Sequence, residues 1–394
     1  MKKNISCSAL LLCFLMVFLQ GCAGLDSRTA VETEETEKRF CEEREPEEVP
    51  LAGISEEILE ETAQNGYYYM QLPEDEQEVY EQVYRSLVER NEVSVSTLSS
   101  EILDKVFVCV LNDHPEIFYT SGYIYTAHSR GDETVSLSFL GKYDYDEAEC
   151  ERREQLIEQA AAEIIGGIPS GASDFDKIKC IFDTLVNETE YVAGAADNQN
   201  ICSVFISHES TCQGYAKATQ YLLEKAGIRA AFVSGEVAEG SHAWNLVMAD
   251  GAWYYLDTTW GDVDYQSQRE EEHVAAEVMA INYDYFMISS DRLYTTHSPN
   301  KIVPLPDCMA NENNYYVHEG LYLTGLDTEV LYRIFEKAYE NGETTVQFQC
   351  ANDAVFTQVS DYLLEQQHIF DFVDSLDSVP YVDNPETSTF CFWL

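Results

Sequence analysis

Basic side chains are scarce in this chain: 23 lysines and arginines stand against 71 aspartates and glutamates over 394 residues. Binding to nucleic acid depends on Lys and Arg neutralising phosphates, and docking on anionic lipid needs the same charge, so the balance excludes both. The sequence also lacks an HExxH pair, any CxxC, and any Walker-type or GxGxxG loop. Neither a metal nor a nucleotide cofactor is therefore expected. Beyond residue 22 no apolar run is long enough to span a bilayer. Cysteine is not rare, at twelve, but the spacings are irregular and the chain can bury an ample core, which excludes a small disulfide-stapled scaffold. Mostly free, buried thiols are expected.

The N-terminus carries a different signal. Lys2 and Lys3 precede an apolar stretch at 5–19, and Leu19-Gln20-Gly21-Cys22 follows, a run that resembles a bacterial lipobox with Cys22 as the acylated residue. Residues 1–21 then read as a lipoprotein signal peptide. Two or more acyl chains on Cys22, palmitate among them, would anchor the mature protein to a bacterial cell membrane on its extracytoplasmic side. Residues 22–50 are Glu-rich and nearly free of apolar periodicity, the composition of a solvated tether. Removing Lys2 and Lys3 with the leader leaves 21 basic against 71 acidic side chains, a formal charge of −50.

Chemistry concentrates between residues 211 and 260. Cys212 stands in TCQGYA, His242 in SHAWNLV and Asp257 in WYYLDTTW. A cysteine is a useful nucleophile only as thiolate, so it needs a base beside it, and that base needs an acceptor on its other ring nitrogen. Ser210-Thr211 can cap a helix whose apolar face is Tyr215, Ala218, Leu222 and Ala226, which puts Cys212 in the first turn, where backbone N–H groups favour an anion. Residues 229–233 read as a strand, 236–241 as a polar turn, and His242 as the start of the next strand. Asp250-Gly251 is a two-residue hairpin signal. It pairs Ala249 with Ala252 and, continued, Ala243 with Thr258, so that His242 and Asp257 become cross-strand neighbours. Taken singly, a cysteine at a helix start is most often a small core residue and a histidine at a strand start a surface or core one. Jointly, the three positions aim side chains at one point.

The stretch 211–260 closely resembles the transglutaminase-like superfamily of cysteine enzymes, with its Cys-Gln-Gly-Tyr-Ala, His-Ala-Trp-Asn and Asp-x-Thr-Trp motifs. The resemblance implies an α+β, papain-like core, with a nucleophile helix packed on an antiparallel sheet. It implies Cys212 as nucleophile, His242 as general base and then acid, and Asp257 as orienting carboxylate, with the Cys212 N–H in the oxyanion hole. It further implies Gln213, Trp244 and Trp260 as pocket or oxyanion support, close packing at Gly214, and Cys202 near the nucleophile. Where members carry an aromatic-Gly-Ala-Leu segment, this chain has Cys202-Ser203-Val204-Phe205.

Around this core, 51–165 reads as an N-terminal α+β domain, 166–300 as the catalytic domain and 301–394 as a small α/β module. Helices are expected at 74–89, 98–111, 146–165, 173–187, 328–340 and 354–367, and strands at 117–127, 134–143, 315–323, 344–350 and 387–394. His297, in YDYFMISSDRLYTTHSP, reads as structural. The whole describes a membrane-anchored thiol enzyme attacking a peptide or amide carbonyl through a thioester. Hydrolysis is preferred over transfer to an amine because water is always present, and the substrate is a protein or peptide, cell-wall peptide included. The alternative is a non-catalytic surface binding lipoprotein that retains the fold. A cell-wall endopeptidase of the NlpC/P60 kind fits less well, given the Asp-x-Thr-Trp ending and the short gap between Cys212 and His242.

Overall fold

A computed structural model describes residues 66–130, 133–262, 281–373 and 378–394, with the backbone of Ser6–Cys7. The expected acylation site, Cys22, and the expected tether at 22–50 lie outside the described residues. Helices and sheets are mixed throughout, an α+β fold.

The first helix, α1 (Glu74–Glu89), follows Pro73 and buries Val79, Tyr80, Val83 and Leu87 at helical spacing. Helix α2 (Ser100–Asp113) starts two residues later than expected because the Ser99 side chain caps it, accepting from the Ile102 N–H. At its other end buried Asp113 accepts from the N–H groups of Tyr68 and Tyr69 and from the Tyr80 hydroxyl. Strands β1 (Val93–Val95), β2 (Thr120–Arg130) and β3 (Glu133–Tyr143) form an antiparallel sheet in the order β1-β3-β2. Helix α3 (Glu147–Gly166) follows, capped by Asp146.

Helix α4 (Asp174–Glu188) has a capping box, with Ser173 and Asp176 satisfying each other's backbone N–H groups. Its buried stripe of Phe175, Ile178, Ile181, Phe182 and Leu185 is the expected one, each side chain contributing about 1.5–3 kcal/mol when fully buried. Helix α5 (Cys212–Lys225) packs on α4 and on the sheet of β4 (Ala230–Val237), β5 (Gly240–Ala249), β6 (Ala252–Leu256) and β7 (Ser298–Pro299), ordered β7-β4-β5-β6. Asp250 and Gly251, with φ of 50° and 81°, form the turn between β5 and β6, and the register of Ala249 with Ala252 runs on to Asn245 with Leu256. Two expectations need correction here. Strand β4 runs on to Val237, which pairs with Gly240, so the turn shrinks and His242 becomes the third residue of β5. The Thr211 side chain makes no helix cap; its Oγ1 donates to the Asn198 carbonyl at 2.7 Å.

Residues from Tyr67 to Tyr316 share one hydrophobic core, and residues from Leu323 to Phe392 form a second. The second core lies between helices α6 (Thr328–Asn341) and α7 (Asp353–Ser360) and a sheet of β8 (Tyr322–Leu323), β9 (Thr345–Cys350), β10 (Pro380–Asn384) and β11 (Thr389–Trp393). The order is β10-β11-β9-β8, with Ser6–Cys7 parallel to β10 at the edge. The expected strand at 315–323 is instead a helical turn, Tyr315–His318, because Asn314 caps it at the N–H groups of Tyr316 and Val317; only Tyr322–Leu323 extends. Helix α7 stops at Ser360 and passes into a π-turn, and β10 is a strand the sequence reading lacked.

Candidate active site

In the first turn of α5 the chain is packed too tightly for a side chain at Gly214. The Ser210 hydroxyl meets Ser203 Oγ at 2.7 Å, and a Cβ on Gly214 would fall 2.0 Å from Ser210 Oγ and 2.6 Å from Ser203 Oγ. Residues 203–207 are thereby held against the helix that Cys212 opens. Cys212 is buried against Ala216, Phe232 and Ala243, and Ala243 is the chain neighbour of His242. By helical geometry the first-turn N–H groups lack carbonyls of their own helix, leaving the positive end of the dipole beside the thiol. Asn245, two strand positions beyond Ala243, donates its side-chain N–H to the Ala216 carbonyl at 2.8 Å, which fastens β5 to α5.

The imidazole and the carboxylate meet across the hairpin. His242 Nε2 lies 2.7 Å from Asp257 Oδ2, and both side chains are all but sealed from solvent. With Nε2 on the carboxylate, Nδ1 is the nitrogen left for a thiol. Asp257 is fixed three further ways. Its Oδ1 accepts from the Trp260 N–H at 3.1 Å, its own N–H donates to the Tyr285 carbonyl at 3.1 Å, and its Oδ2 lies 3.2 Å from His297 Nε2. Burial alone would push this carboxyl up, but the two imidazoles outweigh it and hold Asp257 well below the usual carboxylate range. His297 itself is pushed down by burial against the pull of Asp257. Trp244 and Trp260 flank His242 with ring centroids 6.0 and 5.5 Å away.

Residues 158–258 match the family model of the transglutaminase-like superfamily. This segment is transglutaminase-like. Human kyphoscoliosis peptidase is 21% identical over 211 residues, which are 47% of this chain and 30% of that protein, so the match spans under a third of the relative's length. A TGase crystal structure is 18% identical, covering 36% of this chain and 44% of its own, with a TM-score of 0.25. The periplasmic domain of TgpA from Pseudomonas aeruginosa is 17% identical, covering 36% and 62%, with a TM-score of 0.23.

In and just beyond the transglutaminase-like segment, the residues singled out in the sequence have distinct surroundings. Gln213 is half-buried in the first turn of α5. Cys202 is buried, its thiol pushed up to about 11 by burial despite Arg153 beside it. Asp262 accepts from the Tyr215 hydroxyl at 2.9 Å. The residue that sequence reasoning missed is His297. Its family-like surroundings were the available signal, and β7, pairing Pro299 with Gly235 while Gly235 pairs with His242, is what carries it onto Asp257. The donor atoms of His242, Asp257 and His297 lie within 4.8 Å of one another, a set that could hold a metal ion, yet here they are spent on one another as hydrogen bonds.

Proposed function

We propose that the chain is a thiol enzyme acting on a peptide or amide carbonyl, with Cys212 as nucleophile, His242 as base and acid, and Asp257 as orienting carboxylate. The observation that carries this reading is the 2.7 Å contact of His242 Nε2 with a carboxylate sealed from water, which leaves Nδ1 for the thiol. His242 takes the Cys212 proton, and Sγ adds to the carbonyl carbon. The oxyanion is held by the Cys212 backbone N–H at the positive helix end. The imidazolium then gives its proton to the leaving amine as the C–N bond breaks, and a thioester remains. Water, deprotonated by His242, adds to that thioester; collapse releases the acid and returns the thiol. Trp244 and Trp260, both buried beside His242, wall the triad from water, and half-buried Gln213 supports the pocket or the oxyanion.

Hydrolysis is preferred to amine transfer: water is always present, and the human relative matched over part of its length bears the name peptidase. The substrate is a protein or peptide, cell-wall peptide included. Lipid on Cys22 would hold the enzyme at the outer face of a bacterial cell membrane. Processing before Cys22 would also remove Ser6–Cys7, leaving β10 as the sheet edge.

Incubation of the purified protein with a peptide library, with and without a primary amine, read by mass spectrometry, tests the chemistry. Cleavage without amine supports hydrolysis, a mass gain from the amine means transfer, and neither product from any peptide rejects the enzyme reading. For the anchor, the mature N-terminus should carry acyl mass on Cys22, and Cys22→Ala should leave the membrane fraction.

A further inference from the structure

Asp257 Oδ2 is shared by two imidazoles, and only one is needed for a triad. His242 Nε2 approaches it at 2.7 Å and His297 Nε2 at 3.2 Å. The His297 side chain has no solvent exposure and is gripped on every side. Its backbone N–H donates to the Leu293 carbonyl at 2.9 Å, and its ring sits 4.5 Å from Trp260, 4.8 Å from Trp244 and 5.3 Å from Tyr285. On the other ring nitrogen, Nδ1 lies 2.8 Å from Thr296 Oγ1, which in turn accepts from the Tyr285 hydroxyl at 3.2 Å.

These contacts order the protons. The ionised Asp257 carboxylate can only accept, so the His297 Nε2 facing it carries hydrogen, and Nδ1 of the neutral ring takes the Thr296 hydroxyl proton at 2.8 Å in preference to the Leu293 carbonyl at 3.4 Å. With Nδ1 accepting, the ring hydrogen of a neutral His297 is on Nε2, aimed at Asp257. A chain of donors thus runs from Tyr285 through Thr296 and His297 to the carboxylate.

We propose that His297 is a positioning residue: a neutral second donor that fixes the Asp257 carboxylate in the plane His242 requires, without cancelling its charge. The proposal rests on reading Cys212, His242 and Asp257 as a triad. A second cation on Oδ2 would compete with the His242 imidazolium for the same negative charge, whereas a neutral N–H immobilises the oxygen and leaves the charge to His242. Neutrality fits the setting, since burial opposes protonation of His297 while the titratable groups facing it are Asp257, His242 and Tyr285. The proton that His242 exchanges during turnover is on Nδ1, so Asp257 keeps the His242 Nε2–H together with the Trp260 and His297 N–H groups, and stays in place.

The test uses the full chain in detergent, with site-resolved iodoacetamide labelling of Cys212 followed from about pH 5 to 9 by mass spectrometry. Parent, His242→Ala, His297→Ala and His297→Gln are compared, each checked for folding by circular dichroism and melting. In His297→Ala the loss of one hydrogen bond to a charged group should slow labelling at pH 6 by about tenfold and move the acid limb toward an ordinary thiol. His297→Gln, whose amide can still donate, should recover most of that loss. A folded His297→Ala with the parent's profile overturns the proposal, as does a His297→Gln no better than Ala. If instead the parent's own profile is unchanged by His242→Ala, the triad reading fails first. Should the alanine variant not fold, long-range 15N–1H spectra of imidazole-labelled parent decide: hydrogen on Nε2 alone supports the proposal, and an Nδ1–H tautomer or an imidazolium overturns it.

Discussion

Asp257 and Asp284 are both buried, 27 positions apart, and they have opposite characters. Asp257 is surrounded by nitrogen donors, His242, His297 and the Trp260 N–H, and is held below the usual carboxylate range. Asp284 is surrounded chiefly by hydroxyls, Tyr316 at 2.7 Å on Oδ1, and Thr387 at 2.7 Å and Thr389 at 3.0 Å on Oδ2. Its carboxyl is pushed up by burial, which those hydroxyls and Arg292 only partly offset. Burial is common to both, so the partners decide. An imidazole that can become cationic compensates a sealed carboxylate, whereas a hydroxyl satisfies its lone pairs without matching its charge. One environment suits proton transfer and the other suits a joint between segments.

The comparison can be broken most severely at the thiol. Cys212→Ser should lower turnover by about a thousandfold or more, because His242 would have to deprotonate a hydroxyl in a site arranged for a thiolate. Consistently, iodoacetamide at mildly acidic pH should label Cys212 first, since burial pushes the Cys202 thiol up to about 11 and those of Cys109, Cys308, Cys350 and Cys391 up to about 12. First labelling at Cys202 or Cys350 in the native protein would contradict the assignment.

Next in size is Asp257→Asn. A serine triad loses about ten-thousandfold from the corresponding change; a thiolate needs its base less, so a loss nearer a hundredfold in kcat is expected here, with the fold retained. Asp262→Asn is the control and should stay within a few-fold, since Asp262 serves Tyr215. A reversed pair of results would move the orienting carboxylate to the Gly261-Asp262 turn.

Asp284→Ala should leave kcat within a few-fold but destabilise by about 3 kcal/mol in chemical denaturation, because it strands buried hydroxyls. The smallest effect is the most diagnostic. A lowered native carboxyl stabilises above its unfolded value and loses that contribution as pH falls, so the stability gap between parent and Asp257→Asn should narrow between about pH 5 and 3. A raised carboxyl costs stability as it ionises with rising pH, so the gap between parent and Asp284→Asn should widen in the parent's favour over the same descent. Two gaps moving the same way would mean that the two sites do not differ as described.

Local rules made much of the fold readable. The Ser173 capping box, the stripe from Phe175 to Leu185 and the Asp250-Gly251 turn each depend on neighbours in sequence, and the hairpin register places Ala249 opposite Ala252 as the turn demands. Cys212 does open its helix, but without the Thr211 cap, and His242 falls inside its strand and not at the start, because β4 continues to Val237. His297 was not readable in this way: it reaches Asp257 from 40 residues later by way of a two-residue strand, a long-range contact that leaves no periodicity. The apolar alternation at 315–323 invited a strand, but capping by Asn314 prevailed over propensity. Strand β10 opens on Pro380, a residue that argues against a strand when read from sequence alone.

The Asp284 joint also has a mechanical meaning. The stretch from Asn282 to Pro299 bears Asp284 near one end and His297 near the other, and Arg292 between them donates to the carbonyls of Cys350 and Thr387. Anyone trimming the C-terminal sheet to obtain a shorter chain would remove Thr387 and Thr389 from Asp284 and two carbonyls from Arg292. Such a cut, made far from the thiol, would slacken the strap that presses an imidazole onto Asp257.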